Sequence, residues 1–338
     1  MDHPLVAVVI LNYNGRNFLE KFLPSVLAST YTKFKVIVAD NNSTDDSVAF
    51  LESNYPSLEL ITLKQNFGFA EGYNQALKGV DAGYFVLLNS DVEVQPGWIE
   101  PVIEMMEMDT KVAVCQPKIL SYHHKNEFEY AGAAGGWIDF LGYPFARGRV
   151  FDQLEKDSGQ YKDSNTVFWA TGAAMFVKAS VYNEVGGLYG AFFAHQEEID
   201  FCWRTQNAGY KIACCTASTV YHVGGGTLPK GHRKTFLNFR NNLMMLSRNL
   251  PRNEKWWKIP LRLVLDGVFA VKCLLSRDLT SVRAIWNAHM AYYHWSSNNK
   301  EVITKKRRPM KALSGVLNKS LVLQYFVFKK KKFEDFSK

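Results

Sequence analysis

Cysteine is scarce and its spacing is uninformative: the five residues, at 115, 202, 214, 215 and 273, are odd in number and form no CxxC. A disulfide framework is thereby unsupported, and reduced, buried thiols in a cytosolic chain are expected. No apolar run reaches the ~18 residues needed to span a bilayer. The opening MDHPLVAVVILNYN lacks a basic leader and has only a short apolar stretch before Asn12, so it is expected to be a first strand and not a signal peptide. The first loop, LNYNG, has no GxGxxG, and no GxxxxGKS or GxxxxGKT occurs anywhere. The usual dinucleotide reading and the P-loop both fall away.

Charge is abundant but unevenly placed. Residues 1–232 hold 17 Lys or Arg against 26 Asp or Glu, a net −9, whereas residues 233–338 hold 23 against 6, a net +17. The first stretch is long enough to bury one large core, and the second suits an anionic partner. Nucleic acid is not expected as that partner, because no recognition motif accompanies the charge.

The acidic stretch is organised around YFVLLNSDVEV, Tyr84 to Val94. Five apolar or aromatic residues predict a short buried strand that delivers Asn89, Ser90 and Asp91 at its carboxyl end, where open α/β sheets hold ligands. The next helix is expected to start at Pro96, which leaves Asp91 free to serve as a cation ligand. Three earlier apolar runs, Val6 to Leu11, Phe34 to Ala39 and Leu58 to Leu63, end in similar polar clusters. These supply Asn12, Tyr13 and Asn14, then Asp40 and Asn42, then Asn66 and Gly68. Between them, a helix to about Ser29 carries Pro24 as a kink, and Ser43 to Asp46 resembles a capping box. NFGFAEGYNQAL opens a helix whose amino end would favour an anion. Four strands alternating with helices predict a Rossmann-like, doubly wound, mostly parallel sheet, with Asn12, Asp40, Asn66 and Asp91 along one edge. That is the layout of a nucleotide site, although turn chemistry accounts equally well for Asp40 or Asn66 taken singly.

VVILNYN, VIVADNNSTDDS, NFGFAEGYNQAL and LLNSDVEV, in this order and spacing, resemble the nucleotide-sugar half of inverting family 2 glycosyltransferases of the GT-A fold. The rhamnosyltransferase-like branch is most similar, and the resemblance covers roughly residues 5–225. It implies a GT-A domain over 1–232, with a nucleotide-sugar half to residue 110 and an acceptor half after it. It also implies that Asn12, Tyr13, Asn14, Asp40 and Asn42 meet the base and ribose, and that Asn66 and Gly68 lie against the nucleotide and phosphates. Asn89 stands where the family's DxD motif has its first acid, so Asp91, beside Ser90, becomes the main metal ligand. Independently of the family, a leaving nucleoside diphosphate builds negative charge that a hard cation, Mg²⁺ or Mn²⁺, answers, and the acceptor hydroxyl needs a base.

Beyond the strand Val112 to Leu120, the stretch from Ser121 to Asn165 reads as irregular. Its AGAAGGWIDFLGYPFARGR segment suits a loop over a ligand and a plain insertion equally. Val167 to Val177 is a strand interrupted by Thr171 and Gly172, which the resemblance assigns with Trp203 to the acceptor. In AFFAHQEEIDFCWRTQNAGYKI, Ile199 to Asn207 predicts a helix that stops at Gly209, with Asp200 and Arg204 as a structural pair. Glu197 and Glu198 sit at its amino end, where the helix dipole would keep one ionised. The resemblance gives Glu198 the place of the base, and Glu197 remains an alternative. His222, ending the strand Lys211 to Tyr221, resembles the family's distal histidine near the metal or diphosphate, with Gly224 to Gly226 as a flexible loop beside it.

From Phe236 onward the pattern is helical. Lys255, Lys258, Arg262 and Asp266 recur at three- and four-residue spacing among Trp256, Trp257, Val264, Leu265, Val268 and Phe269. Both an interfacial membrane helix and a cap on the catalytic domain fit this pattern, and the clusters Lys305 to Arg308 and Lys329 to Lys332 would add attraction to an anionic membrane surface. The expected function is an inverting transfer of rhamnose or another hexose from a nucleotide-diphosphate sugar to a glycan or polyprenyl-linked saccharide. The expected place is the cytoplasm, or its membrane face. A sugar nucleotidyltransferase and a non-catalytic glycan-binding module are the rival readings.

Overall fold

The computed structural model describes residues 3–162, 166–224, 231–299 and 307–336. Gly225 and Gly226 of the expected glycine loop, and Lys305 and Lys306 of one basic cluster, lie outside the described residues. The chain begins β1 (Val6–Asn12), α1 (Arg16–Leu27), β2 (Phe34–Asp40), α2 (Ser47–Asn54), β3 (Glu59–Thr62), α3 (Gly68–Leu77), β4 (Tyr84–Asn89). It continues β5 (Val92–Val94), α4 (Glu100–Met108), β6 (Val112–Ser121), β7 (Gly136–Asp139), β8 (Pro144–Ala146), β9 (Arg149–Val150) and β10 (Gln153–Leu154). Next come β11 (Thr166–Val167), β12 (Ala174–Lys178), α5 (Ala179–Val185), α6 (Glu197–Asn207) and β13 (Lys211–His222). The basic region supplies α7 (His232–Asn249), α8 (Arg252–Leu275), α9 (Leu279–Asn298), β14 (Val316–Leu317) and α10 (Leu321–Phe326).

The central sheet runs β11-β13-β6-β12-β4-β1-β2-β3, with β5 paired to β13. From β4 through β3 every pairing is parallel, while β12 is antiparallel to both neighbours. The strands are continuously apolar because both faces are covered. In β1, Val6, Val8 and Ile10 pack into the layer of α1, α2 and α4, whereas Ala7 and Val9 pack into the layer of α3, α5 and α6. Register aligns Asn12 with Asp40 and Leu11 with Asn89, so the polar strand ends lie along one edge.

Three local expectations are corrected. The helix after Asp91 begins at Glu100, not Pro96, because Val92–Val94 first pairs with β13. Ser43 does not cap α2; Asp45 Oδ1 accepts from the Ser47 amide and hydroxyl, and the Ser43 hydroxyl is drawn into the first-strand loop. The stretch after Ser121 is not irregular: β10-β9-β8-β7 form a second sheet, completed by β14 from the chain's last segment. Alternation there is broken by Gly and Pro in strands of two to four residues, too short for a period-2 signal.

The basic region is continuous with the catalytic core: Leu243, Ile259, Tyr292 and Met310 share one cluster with Leu87 and Phe201. All five cysteines are buried and unpaired. Among the described residues, no helix is long and apolar enough to cross a membrane. Gly315 (φ +70°) lets the tail reach β7, and a Cβ there would stand 2.1 Å from the Phe168 amide nitrogen. Gly315→Val is therefore expected to detach the tail and lower Tm by several degrees, read by thermal unfolding and by proteolysis after residue 307. An unchanged melt and cleavage pattern would show that the tail pairing contributes nothing.

Candidate active site

A cavity of about 240 Å³ opens at the carboxyl edge of β1 and β4. Of the residues expected there, Tyr13, Asn14, Asn66, Gly68, Asn89, Ser90 and Asp91 line it. Asn12 and Asp40 lie behind it, fully buried, where Asn12 Nδ2 donates to Asp40 Oδ1 at 3.0 Å and the Ser43 amide donates to Asp40 Oδ2 at 2.8 Å. These bonds tie the ends of the first two strands together, and Asn12 Oδ1 stays buried without a partner. Asn42, at φ +63°, is a turn residue outside the cavity lining. Its neighbour Asn41, which motif reading missed, holds the site instead: Nδ2 donates to Asn66 Oδ1 and the Gly68 carbonyl, and Oδ1 accepts from the Phe67 amide. Tyr13 presents an exposed ring at the mouth.

The expected anion site at the start of α3 is closed. Phe193 lends its carbonyl to the amides of Phe69 (2.6 Å) and Ala70 (3.2 Å), and Asn66 Oδ1 takes the Gly68 amide at 2.8 Å. A Cβ on Gly68 would strike the Phe193 ring at 2.5 Å, so this glycine serves protein packing, not phosphate approach. Positive charge reaches the cavity from elsewhere: Arg233, in the first turn of α7, lines it with its guanidinium 4.7 Å from the Phe193 ring centre. Sequence reading used Arg233 only as a boundary.

Antiparallel pairing of β5 with β13 sets His222 opposite Val92, beside Asp91. His222 Nε2 lies 3.1 Å from Asp91 Oδ1, and Nδ1 lies 3.2 Å from Glu129 Oε2. Burial alone would lower the imidazole's pKa, but Asp91 and Glu129 carry it the other way, to about 10. Asp91 Oδ2 is buried with no partner. Two donors 3.1 Å apart fit adjacent corners of an octahedral cation, about 3.0 Å apart for bonds of about 2.1 Å. Among the described residues no group of three His, Cys, Asp or Glu is placed to hold a metal ion, so such a cation would take its other ligands from substrate and water. Glu129, also unforeseen, stands on the far side of the ring, so His222 lies between two carboxylates and would have to give up its Nε2 proton before that nitrogen joined Asp91 in holding a cation.

Glu197 and Glu198 open α6, as expected, with Oε2 of each buried and unpartnered. Their charge state is not the one expected from the helix dipole. Burial outweighs the backbone amides and raises Glu198 to about 7; burial and then Glu198 push Glu197 well above the carboxylate range. Glu198 is the more accessible of the two and faces Gly172, whose added Cβ would come within 3.9 Å of its Cβ. The loop ahead of α6 holds Phe193, His195 and Gln196 all at positive φ, an arrangement fastened by Asn241, whose Nδ2 donates to the carbonyls of Phe192, Ala194 and His195 at 2.8–3.0 Å. Asp200 accepts from Arg204, Arg248 and Asn249, binding α6 to α7.

The acceptor assignments fare differently. Trp203 is fully buried against Phe168, on the face of α6 turned from solvent, and cannot meet an acceptor. Thr171 is buried, its amide donating to Gln116 Oε1 at 2.9 Å. At Gly172 an added Cβ would meet the Phe69 ring at 2.9 Å, so Phe69 makes the close approach there.

The sequence profile of Glycosyl transferase family 2 matches residues 7–186. N-acetylglucosaminyl-diphospho-decaprenol L-rhamnosyltransferase of Mycobacterium tuberculosis is 24% identical over 291 residues, covering 79% of this chain and 91% of that protein. Among solved structures, GalNAc-T7 with UDP, GalNAc and Mn²⁺ aligns with a TM-score of 0.56 at 14% identity, over 74% of this chain and 49% of that one. The mannosyltransferase PcManGT from Pyrobaculum calidifontis, in complex with GDP-Man and Mn²⁺, aligns with a TM-score of 0.52 at 14% identity, over 86% and 87%. At these identities the structural likeness is one of fold.

The glutamate pair has a measurable signature. A carboxyl whose folded pKa lies above its unfolded value loses stability as pH rises from the unfolded toward the folded value. Glu197→Gln removes that loss, so the Tm difference between variant and wild type should move in the variant's favour as pH rises through and above the ordinary carboxylate range. Parallel melts across that range would show instead that Glu197 ionises freely in the fold.

Proposed function

The chain belongs to glycosyl transferase family 2, and from that premise we propose that it moves rhamnose or another hexose from a nucleoside-diphosphate sugar to a polyprenyl-linked saccharide, with inversion at the anomeric carbon. The observation that carries this reading is the pairing of two unlike acids. Asp91 lines the cavity against His222 with a free buried oxygen, and Glu198, its pKa raised to about 7, faces Gly172 beside Phe69, which lines the same cavity.

Asp91 and His222 would hold Mg²⁺ or Mn²⁺, which when bound supplies positive charge to the departing diphosphate. Tyr13 offers a ring for the base, and Arg233 brings a second cation to the diphosphate side. Glu198, deprotonated, accepts the proton of the acceptor hydroxyl while that oxygen bonds to the anomeric carbon and the bond to the diphosphate oxygen breaks. Attack from the face opposite the leaving group inverts the configuration. Glu197, held neutral, keeps a second negative charge away from this base. Support for rhamnose and for a polyprenyl-linked acceptor in cell-surface glycan synthesis comes from the mycobacterial relative's name, and it implies work at the cytoplasmic membrane face. The closed start of α3 offers no phosphate cradle for a nucleoside triphosphate, which disfavours a nucleotidyltransferase.

Calorimetric titration with dTDP-, UDP- and GDP-sugars, with and without Mn²⁺, tests the donor site. Metal-dependent binding of one nucleotide class is expected, and Asp91→Asn should lose it. Failure of every donor to bind would sink the reading. In transfer assays, kcat/KM should rise with pH through about 7 and level off above it, as Glu198 loses its proton. Glu198→Gln should bind donor normally yet transfer at least about a hundredfold more slowly; turnover near the wild-type rate would remove Glu198 from its role.

A further inference from the structure

α8 is turned inside out. Lys258, Arg262 and Asp266, the charged stripe of the helix, are each no more than 4% exposed and face the protein. Lys258 pairs with Glu254 and lies 3.2 Å from the Met310 sulfur. Arg262 donates to the Leu141 carbonyl and covers the Tyr143 ring, and Asp266 lies 3.2 Å from His289 Nε2 and 3.7 Å from Arg262. The opposite face, which on a helix bordered by water would be polar, carries Trp256, Pro260, Val264, Val268, Val271 and Leu275. These follow one another at spacings of four and three, and all are exposed, Leu275 by 81% and Trp256 by 73%. At about 1.5 Å per residue the stripe is roughly 28 Å long.

Cations outnumber anions around its far end: Lys272, Arg277 and Lys329 to Lys332 stand there with Asp278, Glu334 and Asp335. Lys272 Nζ sits 5.7 Å from the Phe326 ring centre, which brings the end of α10 to the end of α8. There Phe326, Val327 and Phe328 are at least half exposed and run directly into Lys329, Lys330, Lys331 and Lys332. An apolar stripe bordered by lysines, with a tryptophan at one end, matches an interface that is hydrocarbon inside and anionic at its surface.

We propose that α8 lies in the surface of an anionic lipid bilayer, its outer stripe sunk to the acyl boundary and the Lys272 and Lys329–Lys332 amines against lipid phosphates. The helix does not cross the bilayer; the buried charges on its inner face hold the catalytic domain against it. The inference rests on the proposed reading only for the lipid nature of the acceptor. Vesicle binding is read without turnover, so the two can fail separately.

The test is flotation of the full chain with phosphatidylcholine vesicles containing or lacking phosphatidylglycerol, together with Trp256 fluorescence. Wild type should float with the anionic vesicles, weakly with neutral ones, and shift its emission to the blue. Val264→Gln, Val268→Gln and Val271→Gln combined should weaken flotation by about tenfold or more. Neutralising Lys329–Lys332 to Gln should weaken anionic-vesicle binding and flatten its salt dependence. Donor binding and Tm serve as folding controls, since the substituted side chains are exposed. Absence of wild-type flotation, or equal flotation of wild type and the triple variant, would overturn the proposal. So would a concentration-dependent dimer that the same three substitutions dissolve, because that face would then belong to a second copy of the chain.

Discussion

The site depends on one strand pairing. β13 runs its twelve residues beside β6, and over its last three, Val220 to His222, it also takes β5 as an antiparallel partner on its other side. That pairing carries His222 across 131 residues of sequence onto Asp91 and gives the Val223 amide to the Asp91 carbonyl at 3.1 Å. It also explains why the helix after the NSD turn starts late: Val92–Val94 is committed to the sheet before α4 can begin. Backbone hydrogen bonds bring the two strand ends together, so the acid and the imidazole are held against each other.

A second constraint shapes the glutamate pair. Three non-glycine residues at positive φ would be costly in an open loop, on the order of 1–3 kcal/mol each. Here the strain is met by Asn241, with three carbonyls on one amide, and by α3, whose first amides close on Phe193. The result is a helix start shielded from solvent, in which two successive glutamates each keep a buried, unpartnered oxygen. Desolvation then dominates the helix dipole, because the dipole's partial charge is worth less than the loss of water around a carboxylate. Asp200, two residues on, experiences the same burial but has Arg204 and Arg248 beside it, and its pKa falls. Same helix, opposite outcome, decided by the neighbours.

The basic region is structural before it is anything else. α7 supplies Asn241, Arg248 and Asn249 to the glutamate loop and α6, and the last segment completes the second sheet with β14. Asp139 accepts from the Leu321 amide and, buried, has its carboxyl pushed up to about 6. The surplus positive charge read along the chain is thus partly inside: Lys258 and Arg262 are spent on Glu254 and Asp266, and the outer face of α8 is left apolar.

Continuous apolar runs ending in Asx clusters were enough to read the parallel half of the sheet and the edge along which its polar ends gather, and the acidic start of α6 marked where Glu197 and Glu198 stand, because these follow from local periodicity and strand direction. The sequence alone could not say that Trp203 points into the core, that Asn41 and not Asn42 faces the cavity, that Phe193 fills the anion site of α3, or that Glu129 stands behind His222. Nor could it say which side of α8 faces out. Each of these is decided by what lies across a gap of tens to hundreds of residues. Burial, which sets both the orientation of a side chain and the pKa of an acid, is a property of the packed neighbours and leaves no mark on the local pattern.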